Sequence, residues 1–153
     1  MKILDYLKED WILPELQGTD KRSVLKELSG VLMKPCQVAS GDEILQVLLE
    51  REKVGSTGIG EGVAIPHGRL KKLRTFFISF GRSMTGIEFD SIDHRPSQLF
   101  FLVMAPENSA VDNLKLLGRI VTLLKDPSFR KRLLEAHTRE EIFKIISEED
   151  EKY

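Results

Sequence analysis

The stretch Gln98-Leu-Phe-Phe-Leu-Val-Met104 has no polar alternation after its first residue. A strand with one face in water alternates apolar and polar side chains, so a continuous run of aromatic, branched and aliphatic residues demands cover on both faces. Thr75–Phe80 reads the same way, and Val63–Ile65 and Ile12–Leu16 are further strand candidates. Two buried strands need helices above and below them, and the chain supplies helical periodicity. Thr19 or Asp20 can cap a helix with Val24, Leu25, Leu28, Val31 and Leu32 on one face. Ser40-Gly-Asp-Glu43 reads as a capping box before Ile44, Leu45, Val47, Leu48 and Leu49, in a helix ending near Gly55. From Ala110 to Lys125 the apolar positions Val111, Leu114, Leu117, Ile120, Val121 and Leu124 recur at helical spacing until Asp126-Pro127 stops them. Shorter helices are expected over 128–136 and 139–146, the latter capped by Thr138. Gly81 to Pro96 reads as a turn-rich crossover between the two central strands. The fold class is α/β, with helices on both sides of a mostly buried sheet.

Length and charge bound the rest. At 153 residues the chain reads as one domain, 1–153, with the acidic end 148–153 expected to fray. With 23 basic and 24 acidic side chains there is no global field to recruit nucleic acid or anionic lipid. The apolar runs are too short for membrane insertion and the N-terminus lacks a signal-like core, so a cytoplasmic location is expected. One cysteine, Cys36, excludes an internal disulfide, and with histidines only at 67, 94 and 137 no metal site or cofactor is expected.

Gly55-Ser-Thr-Gly-Ile-Gly-Glu-Gly-Val-Ala-Ile-Pro-His-Gly68 gathers five of the eleven glycines around one histidine. Glycine allows positive φ and close approach of backbone N–H groups to a ligand, and Ile65-Pro66 extends the chain just before His67. An imidazole beside bare amide donors is what an oxyanion attached to that ring would need. A tight structural turn followed by a surface histidine fits the same residues. Nucleotide-binding loops fit worse. Where a Walker motif wants Gly-Lys-Ser/Thr the chain has Gly60-Glu61-Gly62, and the glycine spacing misses the dinucleotide fingerprint.

The run from Leu48-Leu-Glu-Arg51-Glu52 through the glycines to Ile65-Pro-His67-Gly68 closely resembles the signature of fructose/mannitol-type enzyme IIA domains of the bacterial phosphoenolpyruvate-dependent sugar phosphotransferase system, including their nitrogen-regulatory relatives. Gly86-Ile-Glu-Phe-Asp90-x-Ile92-Asp93, Leu99-Phe-Phe-Leu-Val103 leading to Ala105-Pro106, and Leu114-x-x-Leu117 extend the likeness along nearly the whole chain. The resemblance implies a three-layer α/β/α sandwich with a mixed sheet and the reactive histidine at the end of a strand in a shallow groove. It implies that His67 accepts a phosphoryl group on Nε2, that Arg51 stabilises the charge, and that Ser56, Thr57, Gly58, Ile59 and Gly60 form the phosphoryl-binding loop. The donor would be an HPr-like phosphocarrier protein. The recipient would be a IIB cysteine of a sugar transporter or, in the regulatory branch, a regulated cytoplasmic protein.

One position departs from the family. Where sugar-transporting members place a second histidine the chain has Asn113, whose amide can donate a hydrogen bond but cannot become cationic. Together with the absence of an attached transporter domain, this favours a freestanding nitrogen-regulatory-type IIA protein over a transport component. A non-phosphorylated interaction module is a third possibility, opposed by the intact Arg51, His67 and glycine loop. His94 reads as turn polarity, His137 as a residue at a helix C-terminus, and Cys36 as a buried structural thiol.

Overall fold

The computed structural model describes residues 1–38 and 41–153. Six strands, β1 (Leu7–Leu13), β2 (Gly58–Gly60), β3 (Val63–Ala64), β4 (His67–Leu70), β5 (Phe77–Ile87) and β6 (Ser97–Pro106), form one sheet. Its order is β1-β5-β6-β3-β2, and β4 also pairs with β6. The sheet is mixed: β1 runs parallel to β5, β5 antiparallel to β6, β3 and β4 parallel to β6, and β2 antiparallel to β3.

Helices α1 (Lys21–Gly30) and α2 (Gly41–Val54) cover one face, and α3 (Ala110–Leu124), α4 (Pro127–Glu135) and α5 (Arg139–Lys152) the other. The central strand β6 explains the division. Leu99, Phe101, Val103 and Ala105 enter the core with Leu116, Ile120, Phe129, Ile142 and Ile146, while Phe100, Leu102 and Met104 enter the core with Leu25, Leu28, Ile44 and Leu48. Every residue from Leu99 to Ala105 is therefore buried. The three-layer α/β/α arrangement agrees with expectation.

Several boundaries do not. The first strand covers Leu7–Leu13 rather than Ile12–Leu16, because a register shift between Leu7 and Ile12 breaks the alternation and Lys8, Glu9 and Asp10 mask it. The expected crossover over 81–96 is half strand: β5 runs on to Ile87 and pairs antiparallel with β6, Phe77 opposite Met104 and Ile87 opposite Ser97. Gly81 sits against Leu16 and Leu28, where a Cβ would come within 3.0 Å of their methyls, so this glycine serves packing and not a turn. Arg82 is 5% exposed and donates to the carbonyls of Pro14 (3.1 Å), Leu133 (2.9 Å) and Ala136 (2.6 Å). A guanidinium that satisfies the end of α4 is tolerated inside because its Nε and Nη1 donors are used.

The acidic end is not a frayed tail. Helix α5 continues to Lys152, with Glu149 and Asp150 buried. Asp150 accepts from Arg119 Nε (2.8 Å) and from the Leu4 amide (3.1 Å), and its carbonyl accepts from Lys2 Nζ (2.9 Å). Partners more than thirty or a hundred residues away turn a charged end into a tie between both termini and α3.

Asp20 caps α1, its carboxylate accepting from the Ser23 amide at 2.8 Å, and Thr138 caps α5. The capping box expected at Ser40 lies outside the described residues. His137 lies beyond the C-cap Ala136 and is exposed, so it is not a helix-end residue; its amide donates to Glu141. Cys36 is buried, which pushes its thiol pKa up to about 11. Among the described residues no helix is long and apolar enough to cross a membrane.

Candidate functional site

Strands β3 and β4 are two halves of one interrupted strand beside β6. Ala64 lies opposite Phe100 and His67 opposite Val103, the same offset on both sides of Ile65-Pro66. Proline has no N–H for the ladder, so the strand is interrupted there without losing register, and the Pro66 carbonyl still accepts from the Val103 amide at 2.9 Å. Side chains alternate along it. Val63 and Ile65 point into the core under α3, and the same row continues as His67, at the point where that core gives out. Ala64 and Leu70 belong to the opposite core.

The intervening Gly68 faces α2 so closely that a Cβ would come within 2.5 Å of Val47 Cγ1. This contact brings α2 against β4. Arg51, one helical turn beyond Val47, thereby reaches the groove. Helix α3 closes the other side with Asn113, Leu114 and Leu117. The resulting groove, about 580 Å³, is lined by Val47, Arg51, His67, Gly68, Arg69, Asn113 and the α3 residues. A smaller recess of about 160 Å³ adjoins it, with Ser56, Thr57, Ile59 and Ile65 added to Arg51 and His67.

His67 Nδ1 lies 2.9 Å from the Ile65 carbonyl oxygen. A carbonyl can only accept, so Nδ1 carries the proton and the neutral ring keeps its free lone pair on Nε2. Burial lowers the pKa of His67; the Ile65 bond opposes this, the Arg51 charge adds to the lowering, Glu52 opposes it, and Arg69 lowers it further. The ring is therefore neutral and nucleophilic at pH 7.

The depression fixes a pH dependence. Unfolded histidine titrates near pH 6.5, above the folded value, so nothing is lost above that pH. Below it the unfolded chain binds the proton first and stability falls, until the pH drops below the folded pKa and the loss is complete. Urea unfolding at pH 7.5 and 5.5 is expected to show that His67→Gln loses less stability on acidification than the parent. Equal losses would mean that the folded and unfolded pKa values of His67 coincide.

The glycine loop does not offer its amides freely. The Thr57 amide donates to Glu52 Oε1 at 3.2 Å, the Thr57 hydroxyl donates to Glu52 Oε2, and the Gly58 amide donates to Ser56 Oγ at 3.0 Å, while Ser56 Oγ–H donates to the Phe89 carbonyl. These bonds hold the loop. The expectation of bare donors at Thr57 and Gly58 is corrected accordingly. Gly58 is needed because a Cβ would come within 2.3 Å of Ser91 Oγ, and it lies outside the groove lining. Gly60, Glu61 and Gly62 have φ of 91°, 58° and 74°, which turns β2 into β3. The Glu61 amide donates to Asp93 Oδ2 at 2.9 Å, and this bond with that from the Arg95 amide lowers the Asp93 pKa.

The structure thus brings His67, Arg51 and Asn113 into one groove and places Ser56, Thr57 and Ile59 beside it. Asn113 is 6% exposed and, among the described residues, its Oδ1 has no hydrogen-bond partner. His94 is exposed in a turn with φ of 60°. Sequence reasoning missed Glu52, whose side chain is 5% exposed and pairs with Lys21 Nζ at 3.1 Å. The available signal was an acid in the last turn of a helix, where the dipole disfavours it and some other partner must hold it.

An interrupted strand presenting a neutral histidine beside an arginine, on a mixed three-layer sandwich, defines a phosphoryl-carrier type of domain. The chain matches the family "Phosphoenolpyruvate-dependent sugar phosphotransferase system, EIIA 2" over residues 5–149, and it belongs to that family. It is 39% identical over 149 residues to a nitrogen regulatory protein of Bradyrhizobium diazoefficiens, covering 96% of this chain and 95% of the relative. It is 36% identical over 150 residues to the fructose-specific EIIABC component of Bacillus subtilis, covering 98% of this chain but only 24% of that larger protein. The crystal structure of nitrogen regulatory protein IIA-Ntr from Neisseria meningitidis superposes with a TM-score of 0.88 at 30% identity, covering 93% of this chain and 97% of the other. The mannitol enzyme IIA of Escherichia coli, determined in complex with phosphorylated enzyme IIB, shares the fold: TM-score 0.77, 22% identity, 93% and 99% coverage.

Proposed function

We propose that this protein is a phosphohistidine carrier of the nitrogen-regulatory type, accepting a phosphoryl group from an HPr-like protein on His67 Nε2. The observation that carries this reading is the Nδ1–H bond to the Ile65 carbonyl, which leaves the Nε2 lone pair free on a ring lining a groove shared with Arg51. Phosphoryl transfer needs little covalent chemistry from the protein. It needs in-line approach of a neutral nitrogen and positive charge near the three equatorial oxygens. Arg51 supplies charge, and its Nη1 bond to the Gly55 carbonyl (2.7 Å) fixes the guanidinium against the loop. The Ile65 carbonyl, still holding Nδ1–H, stabilises the positive character that the ring gains on phosphorylation. Ser56 and Thr57 shape the recess rather than donate to the phosphoryl group.

The regulatory reading is favoured over sugar transport by Asn113 and by the likeness to nitrogen regulatory relatives. The transport reading retains one support, the likeness to fructose and mannitol components, of which the mannitol protein is seen with a phosphorylated IIB partner. Both readings place the protein in the cytoplasm.

The test is phosphorylation by phosphoenolpyruvate, enzyme I and an HPr-type protein, followed by intact mass. One acid-labile phosphoryl group is expected. Arg51→Gln is expected to slow single-turnover transfer about tenfold, below the ~100–1000-fold typical of a donor in an enclosed oxyanion site because this groove is open, with melting temperature nearly unchanged. A lowered melting temperature with unaltered transfer would make Arg51 only a loop anchor. Onward transfer to a fructose-type IIB cysteine at a comparable rate would favour the transport reading.

A further inference from the structure

The row of side chains that carries His67 has one more member. Arg69 lies two residues further along β4, opposite Ala105 as His67 lies opposite Val103, and so projects from the same face of the sheet. Arg69, His67, Arg51 and Asn113 all line the same groove. The two arginines are placed differently. Arg51 arrives from α2 and has Nη1 committed to the Gly55 carbonyl. Arg69 is exposed and, among the described residues, its guanidinium donates to no protein group. Its charge already acts on the His67 ring. Asn113, buried at the third side of the groove, is neutral.

A phosphoryl group in transit spreads its negative charge over three oxygens, and one arginine with a donor already used leaves part of that charge uncompensated. Guanidinium is suited to the remainder, since it stays protonated and offers planar paired donors. We infer that Arg69 is a second catalytic cation, contacting the phosphoryl oxygens during transfer to His67 and supplying the charge that a neutral Asn113 cannot. This rests on the reading of His67 as the acceptor. In the step itself the Nε2 lone pair of His67 forms the new N–P bond as the P–N bond to the donor imidazole breaks. The electron pair of the broken bond stays on the donor nitrogen. No proton leaves His67, whose Nδ1–H remains on the Ile65 carbonyl, so Arg69 acts through charge and hydrogen bonding alone.

The experiment is single-turnover transfer from a phosphorylated HPr-type donor, measured across donor concentration for the full chain. At saturating donor, Arg69→Gln is expected to be slowed about tenfold, again less than for an enclosed oxyanion donor, and Arg69→Lys to stay within about threefold of the parent because charge survives while the paired geometry is lost. Adding Asn113→His to Arg69→Gln is expected to recover part of the lost rate. Full speed of Arg69→Gln at saturation would overturn the inference. So would a change confined to the donor concentration required, which would make Arg69 a docking residue, or a failure of Asn113→His to restore any rate. A parallel His67→Ala sample separates the two levels: if it takes no label while Arg69→Gln runs at full speed, only the role of Arg69 falls, whereas label on His67→Ala removes the acceptor and this inference with it.

Discussion

His67→Ala is expected to take up no phosphoryl group from phosphoenolpyruvate, enzyme I and an HPr-type protein, while keeping its fold. The loss should be complete, because the proposed function makes Nε2 of this ring the acceptor atom, and neither His94 nor His137 lies in the groove. The structural cost is small. The ring is half-buried, and its hydrogen bond to Ile65 is worth about 0.5–1.5 kcal/mol. For a chain of this size that corresponds to a fall in melting temperature of roughly 1–6 °C. Intact mass and a thermal scan on the same sample settle it. A variant that still gains a phosphoryl mass would move the acceptor elsewhere.

Gly68→Ala is expected to damage both stability and transfer, through a residue that carries no chemistry. The new methyl would lie 2.5 Å from Val47 Cγ1, and a β-branched side chain in a helix has little rotamer freedom with which to retreat. Either α2 or β4 must shift. Overpacking of this kind costs about 1–3 kcal/mol. Because Arg51 lies one turn beyond Val47, the shift also carries the guanidinium away from His67, and displacement of a positioned group by about 1 Å can reduce rates by up to ~100-fold. The cause is checked by the double variant. Gly68→Ala with Val47→Ala restores the space and should recover most of the transfer rate and part of the stability. If the double variant is as slow as Gly68→Ala alone, the glycine is required for some reason other than room for Val47.

The pieces legible in the sequence share a physical character: their determinants are close together along the chain. The burial of β6 on both faces shows as a run without polar interruption, and the helical period of α3 shows as well, although its core face is formed by Leu116, Ile120 and Leu123 while the expected Val111 and Leu114 are exposed. Arg51 and His67 were found because a contiguous signature contains both. Determinants supplied from afar were not legible. Arg82 looks like a turn residue until the ends of Pro14 and α4 arrive to accept its hydrogen bonds. Asp150 looks solvated until Arg119 and Leu4 reach it. Glu52 stood next to Arg51 in the signature, yet its task depends on Thr57, which curls back only once the loop is formed. Asn113 could be placed by likeness to a family, but its burial and its unpartnered oxygen required the packed groove.

The unbroken register across Pro66 makes the site depend on parity. From Val63 onward each residue is assigned to one helical layer or the other by whether its distance from Val63 is even or odd, and His67 falls on the α3 side only because three residues separate it from Val63. A one-residue insertion or deletion within Ala64-Ile65-Pro66 would exchange every subsequent assignment on β4. An insertion would put the imidazole where Gly68 now meets Val47, with no room even for a methyl group, and a glycine would take the place of Arg69 on the groove face. Shortening or lengthening by two would keep the side but slide the ring along the groove by about 7 Å. The count of residues between the glycine turn and the histidine is thus a mechanical specification in its own right, one that no substitution elsewhere in the groove could replace.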